Sequence, residues 1–211
     1  KIVSLAKRRG FVFPGSEIYG GLANSYDYGP LGVEMLRNIK NHWWQTFVRD
    51  REDIYGVDAS IIMHPEVWRA SGHTESFTNV FVECKECQNR LRVDHVLEEA
   101  LGENVEGRPL EELSKLLTEV KPVCDECGAK EFTEPKTFNL LFKTSLGSVP
   151  EESSTVYLRG ETAQGMFVNY KNVVDSMHPE IPFGLGQIGK AFRNEVTLGN
   201  FIFRTFEFEQ M

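Results

Sequence analysis

Apolar and polar positions recur with two different periods along the chain, and the changes of period mark out its elements. After Pro30, the residues Val33, Leu36, Ile39, Trp43 and Phe47 recur at steps of three and four, with Arg37, Lys40, Asn41 and Arg49 on the other side. That spacing predicts a helix with one apolar stripe, widened by Trp44 and Val48. A stripe with two adjacent tryptophans must bury against something large. That partner is either the chain's own sheet or a second subunit, and periodicity does not separate the two. Residues 58–63, DASIIM, read as a strand paired with this helix, and residues 155–159, TVYLR, as another strand. Residues 161–175 read as a helix, with Met166, Phe167, Tyr170, Val173 and Val174 along one side. Its first turn holds Glu161, where a carboxylate suits the helix dipole. Residues 93–117 are acidic and helix-prone, with Leu97, Leu101, Leu110, Leu113 and Leu117 available for packing. The opening residues 1–29 are rich in Gly, Tyr and Phe, which predicts loop with short strand content.

Residues 192–211, FRNEVTLGNFIFRTFEFEQM, show period two. Arg193 and Glu195 share one strand parity, as do Arg204, Phe206 and Phe208. An antiparallel hairpin turning at Leu198-Gly199-Asn200 would align two cations, a carboxylate and aromatic rings on one surface. Such a surface suits a nucleotide. Arginine grips phosphate oxygens in a planar fork, an aromatic face stacks on a base for roughly 1–3 kcal/mol, and a carboxylate accepts from an exocyclic amine. An ordinary amphipathic hairpin with a salt-bridged outer face would show the same alternation.

Composition narrows the setting. The 211 residues are 41% hydrophobic and 26% charged, enough for a sizeable core. No apolar run approaches the roughly 20 residues that span a bilayer. The basic start, KIVSLAKRRGFVFPG, lacks a long apolar segment, so a soluble, cytoplasmic protein is expected, with no membrane partner. A net charge of −8 argues against a general nucleic-acid coat, although a local basic contact with one RNA end is compatible with it.

The four cysteines fall as two CxxC pairs, Cys84 with Cys87 and Cys124 with Cys127. In an intracellular chain this spacing points to metal rather than disulfides. Two knuckles complete a tetrahedral zinc shell with bonds of about 2.3 Å. Buried cysteines acting only as small hydrophobes would not need paired spacing. Gly128 follows the second knuckle, where a backbone turn is needed, and His95 is surplus once four thiolates bind. With no open coordination position, the expected ion is structural. His64 and His73 lie in a stretch without a period, and lone histidines of this kind are more often structural than reactive.

The order Phe-Arg-x-Glu, a turn, then Arg-x-x-x-Phe resembles motif 2 of the class II aminoacyl-tRNA synthetases. The wider strings GQIGKAFRNE and NFIFRTFEFEQM are similar to the dimeric glycyl-tRNA synthetases in particular. YDYGPLGVEMLRNIKNHWW resembles motif 1, which builds the family's dimer, and LRGETAQG resembles its LRPETAQG segment. WRASGH, with His73, resembles a segment bordering the pocket, and RLRVDH resembles an RFRADH-like segment.

The resemblance implies an α+β fold, a class II synthetase-like antiparallel sheet flanked by helices with a small zinc-ribbon-like insertion. Residues 1–81 would hold the first part of the catalytic domain with the dimer helix. Residues 82–136 would form the zinc-binding insertion, and 137–211 the substrate wall and motif 2. It also implies a glycine–tRNA ligase. Glycine attacks the α-phosphate of ATP, pyrophosphate leaves, and the glycyl group passes to the 3′ end of tRNA(Gly). Mg²⁺ accompanies ATP, Zn²⁺ is structural, and the assembly is a homodimer.

Carried over residue by residue, Arg193 and Glu195 take the catalytic positions. Arg193 binds the α-phosphate, and Glu195 contacts the adenine side or the tRNA end. Asn194, Phe203 and Arg204 join the ATP site, and Phe208 stacks on adenine. Arg159 helps bind ATP or the adenylate, Glu161 holds the glycine ammonium, Thr162, Gln164 and Gln210 line the wall, and Arg92 reaches its substrate side. Three positions depart from the family: Gly160 and Leu198 replace prolines, and Phe206 replaces an arginine. Motif 3 and an anticodon-binding domain are not in this sequence, and an acidic glycine contact would fall just past Met211. A correctly shaped but incomplete site is therefore expected. The other reading is a non-catalytic synthetase-like accessory or interaction module, which would keep the fold and lose the pocket. Intact Arg193, Glu195, Glu161 and Phe208 argue against it.

Overall fold

A computed structural model describes residues 1–147, 155–195 and 201–211. The predicted turn Leu198-Gly199-Asn200, and with it the departure at Leu198, lies outside the described residues. In chain order the elements are α1 (Ile2–Arg8), β1 (Val12–Pro14), β2 (Tyr26–Tyr28), α2 (Pro30–Trp44), β3 (Ile54–Gly56), α3 (Pro65–Ala70) and α4 (His73–Ser76). They continue with β4 (Thr78–Glu83), β5 (Arg90–Arg92), α5 (Val93–Leu101), α6 (Leu110–Val120), β6 (Lys136–Asn139) and β7 (Lys143–Ser145). Last come β8 (Thr155–Tyr157), α7 (Ala163–Met177), β9 (Gly184–Gly186), β10 (Gly189–Phe192) and β11 (Glu207–Gln210). The architecture is mixed α/β, with antiparallel pairing in every strand pair described except β3·β9, which is parallel. The chain divides into two compact units, residues 1–74 with 141–211, and residues 75–140.

In the first unit, α1 replaces part of the predicted loop; seven residues are too few to display a period. Pro30 opens α2 at the position where a missing N–H costs nothing, and a π turn over Gln45–Arg49 extends the helix. The predicted apolar stripe divides between two faces. Val33, Leu36, Trp43, Trp44 and Val48 turn inward, while Ile39 and Phe47 stay about half exposed, joined by Leu31 and Met35, which lie outside the predicted stripe. The inward face lies on the β3·β9 pair. It can do so because Gly56 and Gly186 lack side chains, since a Cβ there would come within 2.5 Å of the Trp44 ring and 2.8 Å of Val48.

The strand predicted at 58–63 does not form. Ile62 makes a single bridge to Leu158, and the strand beneath α2 is β3 instead. An extended segment and a strand share the same alternation, and only a partner edge distinguishes them. Likewise α7 begins after Thr162, so Glu161 stands just ahead of the helix rather than in its first turn. Gln164, Gly165 and Val173 face inward, whereas Phe167 is largely exposed.

The second unit is an antiparallel sheet in the order β5-β4-β6 with α5 and α6. Its core joins Val82, Leu91, Val93, Leu97, Val105 and Leu113 to Cys84 and Cys124. The predicted 82–136 segment is narrower than this unit because β4 and β6 zip from Phe81·Lys136 out to Thr78·Asn139. The helix-prone run 93–117 is two helices, parted by Gly102 in the left-handed region and by Pro109 ahead of α6. Among the described residues no helix is long and apolar enough to cross a membrane.

Candidate active site and metal centre

The β10·β11 pair sorts its side chains by strand alternation. Gly189 faces Gln210 and Ala191 faces Phe208 on one side, while Lys190 and Glu209 share the other. The ladder runs one residue further, where the Arg193 N–H donates to the Phe206 carbonyl at 2.9 Å. The Arg193 guanidinium lies over the Phe208 ring, 5.2 Å from its centroid, and its Nε donates to the Gly160 carbonyl at 3.3 Å. Arg204 approaches the mostly buried Glu195 at 4.0 Å. Because β11 begins at Glu207, Arg204 precedes the strand rather than sitting in it. Phe206, where the motif that this segment resembles has an arginine, packs edge-on to Phe142 at 5.8 Å, and its N–H donates to the Asn24 carbonyl. Asn194 is half-buried. The Phe203 ring is 91% exposed and stands outside this grouping.

Segment 159–164 meets the same hairpin. The Thr162 N–H and hydroxyl both donate to Gln210 Oε1, at 2.8 and 3.2 Å. Glu161 Oε1 receives Gln164 Nε2 at 2.8 Å and lies 3.3 Å from His73 Nε2. Arg159, expected as a ligand contact, is buried and anchored. Its Nε donates to the Lys190 carbonyl at 2.6 Å and its Nη1 to the Ala59 carbonyl at 2.7 Å. Its Nη2 fills the place a Gly189 Cβ would take, 2.2 Å away. Burial lowers the Arg159 pKa, while the charges of Asp58 and Glu209 work in the opposite direction. These groups, with Lys40 and Lys190, border a cleft of about 450 Å³ on the Lys190 side of the hairpin.

Two buried polar residues have no conspicuous sequence signal for their position here. Gln187 is fully buried between Gly165 and Gly189, each of which leaves room for its amide. Asn24, buried at φ 58°, presents its carbonyl to Phe206; asparagine tolerates this left-handed backbone better than most residues. Arg92 belongs to the second unit. Its fork closes on Asp94, with Nε 3.0 Å from Oδ1 and Nη2 on Oδ2, and Glu106 lies 3.6 Å away.

The cysteine knuckles also lie in the second unit. The Sγ atoms of Cys84, Cys87, Cys124 and Cys127 all lie within 4.8 Å of one another, with Cys84 to Cys127 at 3.6 Å and Cys87 to Cys124 at 3.7 Å. Bonds of about 2.3 Å in a tetrahedron set sulfur edges near 3.8 Å, so the donor set fits a zinc ion. The two knuckles repeat each other. Cys84 and Cys124 each accept from the N–H four residues on and donate to the carbonyl five residues on. Gln88 and Gly128 hold the same left-handed place, at φ 59° and 75°. The Cys84 thiol is drawn down to about 7, chiefly by the Cys87 N–H. Cys87 is helped most by the Asn89 N–H, yet burial and three neighbouring thiols push it up to about 12. One thiolate forms readily, and the Cys87 and Cys127 thiols, both raised by neighbouring sulfurs, resist the accumulating negative charge. A dication removes that resistance.

No protein-family profile matches the chain. Over 216 aligned positions covering all of it, the chain is 55% identical to the glycine–tRNA ligases of Caldanaerobacter subterraneus and Acetivibrio thermocellus, and 53% identical to that of Geobacillus thermodenitrificans. The chain spans about half the length of these curated relatives, 46–47%. Among solved structures, the RNA-binding domain of threonyl-tRNA synthetase from Cryptosporidium parvum shares the fold, with a TM-score of 0.50 at 15% identity. The match covers 98% of this chain and 34% of that one.

Proposed function

From its homology to glycine–tRNA ligases along its whole length, we propose that the chain carries the ATP- and glycine-binding half-site of such an enzyme, on a class II synthetase catalytic fold with a zinc-ribbon-like insertion. The observation that carries this is the linked set formed by segment 160–164 with Arg193, Phe208 and Gln210 inside one compact unit. Adenylate formation needs reactants held in line and charge stabilised, and no protein nucleophile. Arg193 holds the α-phosphate and steadies the charge that develops as glycine attacks. ATP draws Arg193 off the Phe208 ring and places adenine there, with Asn194, Glu195 and Arg204 around the nucleotide. Mg²⁺ bound with ATP neutralises phosphate charge. Glu161 takes the ammonium of glycine, and Thr162, Gln164 and Gln210 shape the wall. Glycine has no side chain to grip, so selectivity rests on its ammonium, its carboxylate and exclusion of anything larger. Arg159 supports the site by pinning β10 and offers Nη2, whereas for Arg92, forked on Asp94, a substrate contact rests on the resemblance alone.

The cysteine shell would hold a structural zinc, and the outward stripe of α2 supports a homodimer. tRNA(Gly) is the acceptor in this proposal, and the cytoplasm its setting. Binding of 5′-O-(N-glycylsulfamoyl)adenosine, a stable mimic of glycyl-adenylate, tests the proposal without requiring turnover. The chain is expected to bind it at least tenfold more tightly than AMP or the alanyl counterpart, and Arg193→Ala to lose most of that affinity. Equal affinity for all three probes would overturn the proposal.

A further inference from the structure

We infer that His73 is the positioning residue of the ammonium site, acting through Glu161; this rests on the role proposed for Glu161. Both side-chain donors at this carboxylate converge on one oxygen. Gln164 Nε2 lies 2.8 Å and His73 Nε2 3.3 Å from Glu161 Oε1. Neither donor takes the second oxygen, which is the one proposed to meet the ammonium, at a side chain that keeps 27% exposure, while His73 keeps 11%.

The imidazole is held at its other end too. Its Nδ1 lies 2.9 Å from Ser71 Oγ, and its ring meets the fully buried Trp68 edge-on at 5.3 Å. These contacts determine where the proton sits. A lone pair on Nε2 would face the Glu161 oxygen and repel it, so Nε2 carries hydrogen. This is so whether the Ser71 hydroxyl donates to Nδ1 or accepts from it. A hydrogen bond to a charged acceptor is worth roughly ten- to hundredfold in an equilibrium. Here it restrains the one side chain that recognises a ligand without a side chain of its own. His73 does not touch the ligand, so its loss should weaken recognition of the ammonium and leave the nucleotide half untouched.

The experiment compares 5′-O-(N-glycylsulfamoyl)adenosine with AMP on the 211-residue chain, with thermal unfolding followed in parallel. His73→Phe keeps the ring against Trp68 and removes the donor. It is expected to lose about tenfold or more in affinity for the glycyl probe at unchanged affinity for AMP. His73→Gln, whose amide nitrogen reaches the donor position, is expected to recover to within about threefold of wild type. Undiminished binding of the glycyl probe by His73→Phe would overturn the inference. Equal loss of both probes in both variants would mark a merely structural histidine and overturn it as well. A wild-type chain that does not prefer the glycyl probe to AMP instead fails the functional proposal itself, an outcome distinct from either.

Discussion

Individual residues in this protein are set by the company they keep. Arg159 and Arg193 are both motif arginines, yet one has its Nε and Nη1 on backbone carbonyls while the other lies over an aromatic ring. Arg92 and Asp94 show the same dependence in the second unit. Burial alone would raise the Asp94 carboxyl, but the Arg92 fork and the His95 N–H at 3.0 Å hold it below the usual range. A carboxyl whose pKa is lowered by folding adds stability above its unfolded value of about 3.9 and loses it as pH falls through the lower folded value. The second unit should therefore weaken as pH drops below about 4. In Asp94→Asn the loss, on the order of 1 kcal/mol after solvent screening, should already be present at neutral pH, and the acid limb should be flatter. Hydrogen exchange of α5 amides between pH 7 and pH 2.5 measures this; an unchanged acid limb in the variant would count against the pair.

At the scale of elements, backbone geometry does what composition alone does not reveal. The two knuckles bring four sulfurs within 4.8 Å of one another, and each repeats the same pair of backbone bonds, with a left-handed residue at the same step. Metal should therefore be part of the fold of the second unit, since Cys84 and Cys124 sit in its hydrophobic core. Dialysed protein is expected to retain about one equivalent of zinc. Cys84→Ser should lose it together with much of the β5-β4-β6 sheet signal in circular dichroism, and a zinc-free yet fully folded wild type would contradict this. The closing hairpin is likewise more than its alternation. The strand register aligns Gln210 with Gly189, and Gln210 then accepts both donors of Thr162, tying the segment ahead of α7 to β11.

For the molecule as a whole, the outward face of α2 is the feature that asks for a partner. Leu31, Met35 and Ile39 follow one another at steps of four, each about half exposed. Scattered exposed apolar residues are ordinary, and these three are aligned along one helix. Together with the proposed family dimer, it predicts a dimer by sedimentation. The double substitution Met35→Lys, Ile39→Lys should shift that equilibrium to monomer without unfolding, because neither side chain is buried; an unshifted dimer would place the interface elsewhere.

The sequence by itself determined the features whose cause is local. The helical period starting at Pro30, a helix over most of residues 161–175, the strand parity around Arg193 and Phe208, and the paired spacing of the cysteines all follow from geometry within a few residues. The tertiary structure decided everything that depends on a distant partner. It turned Ile39 and Phe47 of the α2 stripe outward and put β3 rather than residues 58–63 beneath that helix. It committed much of the Arg159 guanidinium to carbonyls and brought His73 to Glu161. Such pairings leave no periodic trace, because either residue alone would read the same in another fold. Alternation says which way a side chain points, and only the packed chain says what it meets there.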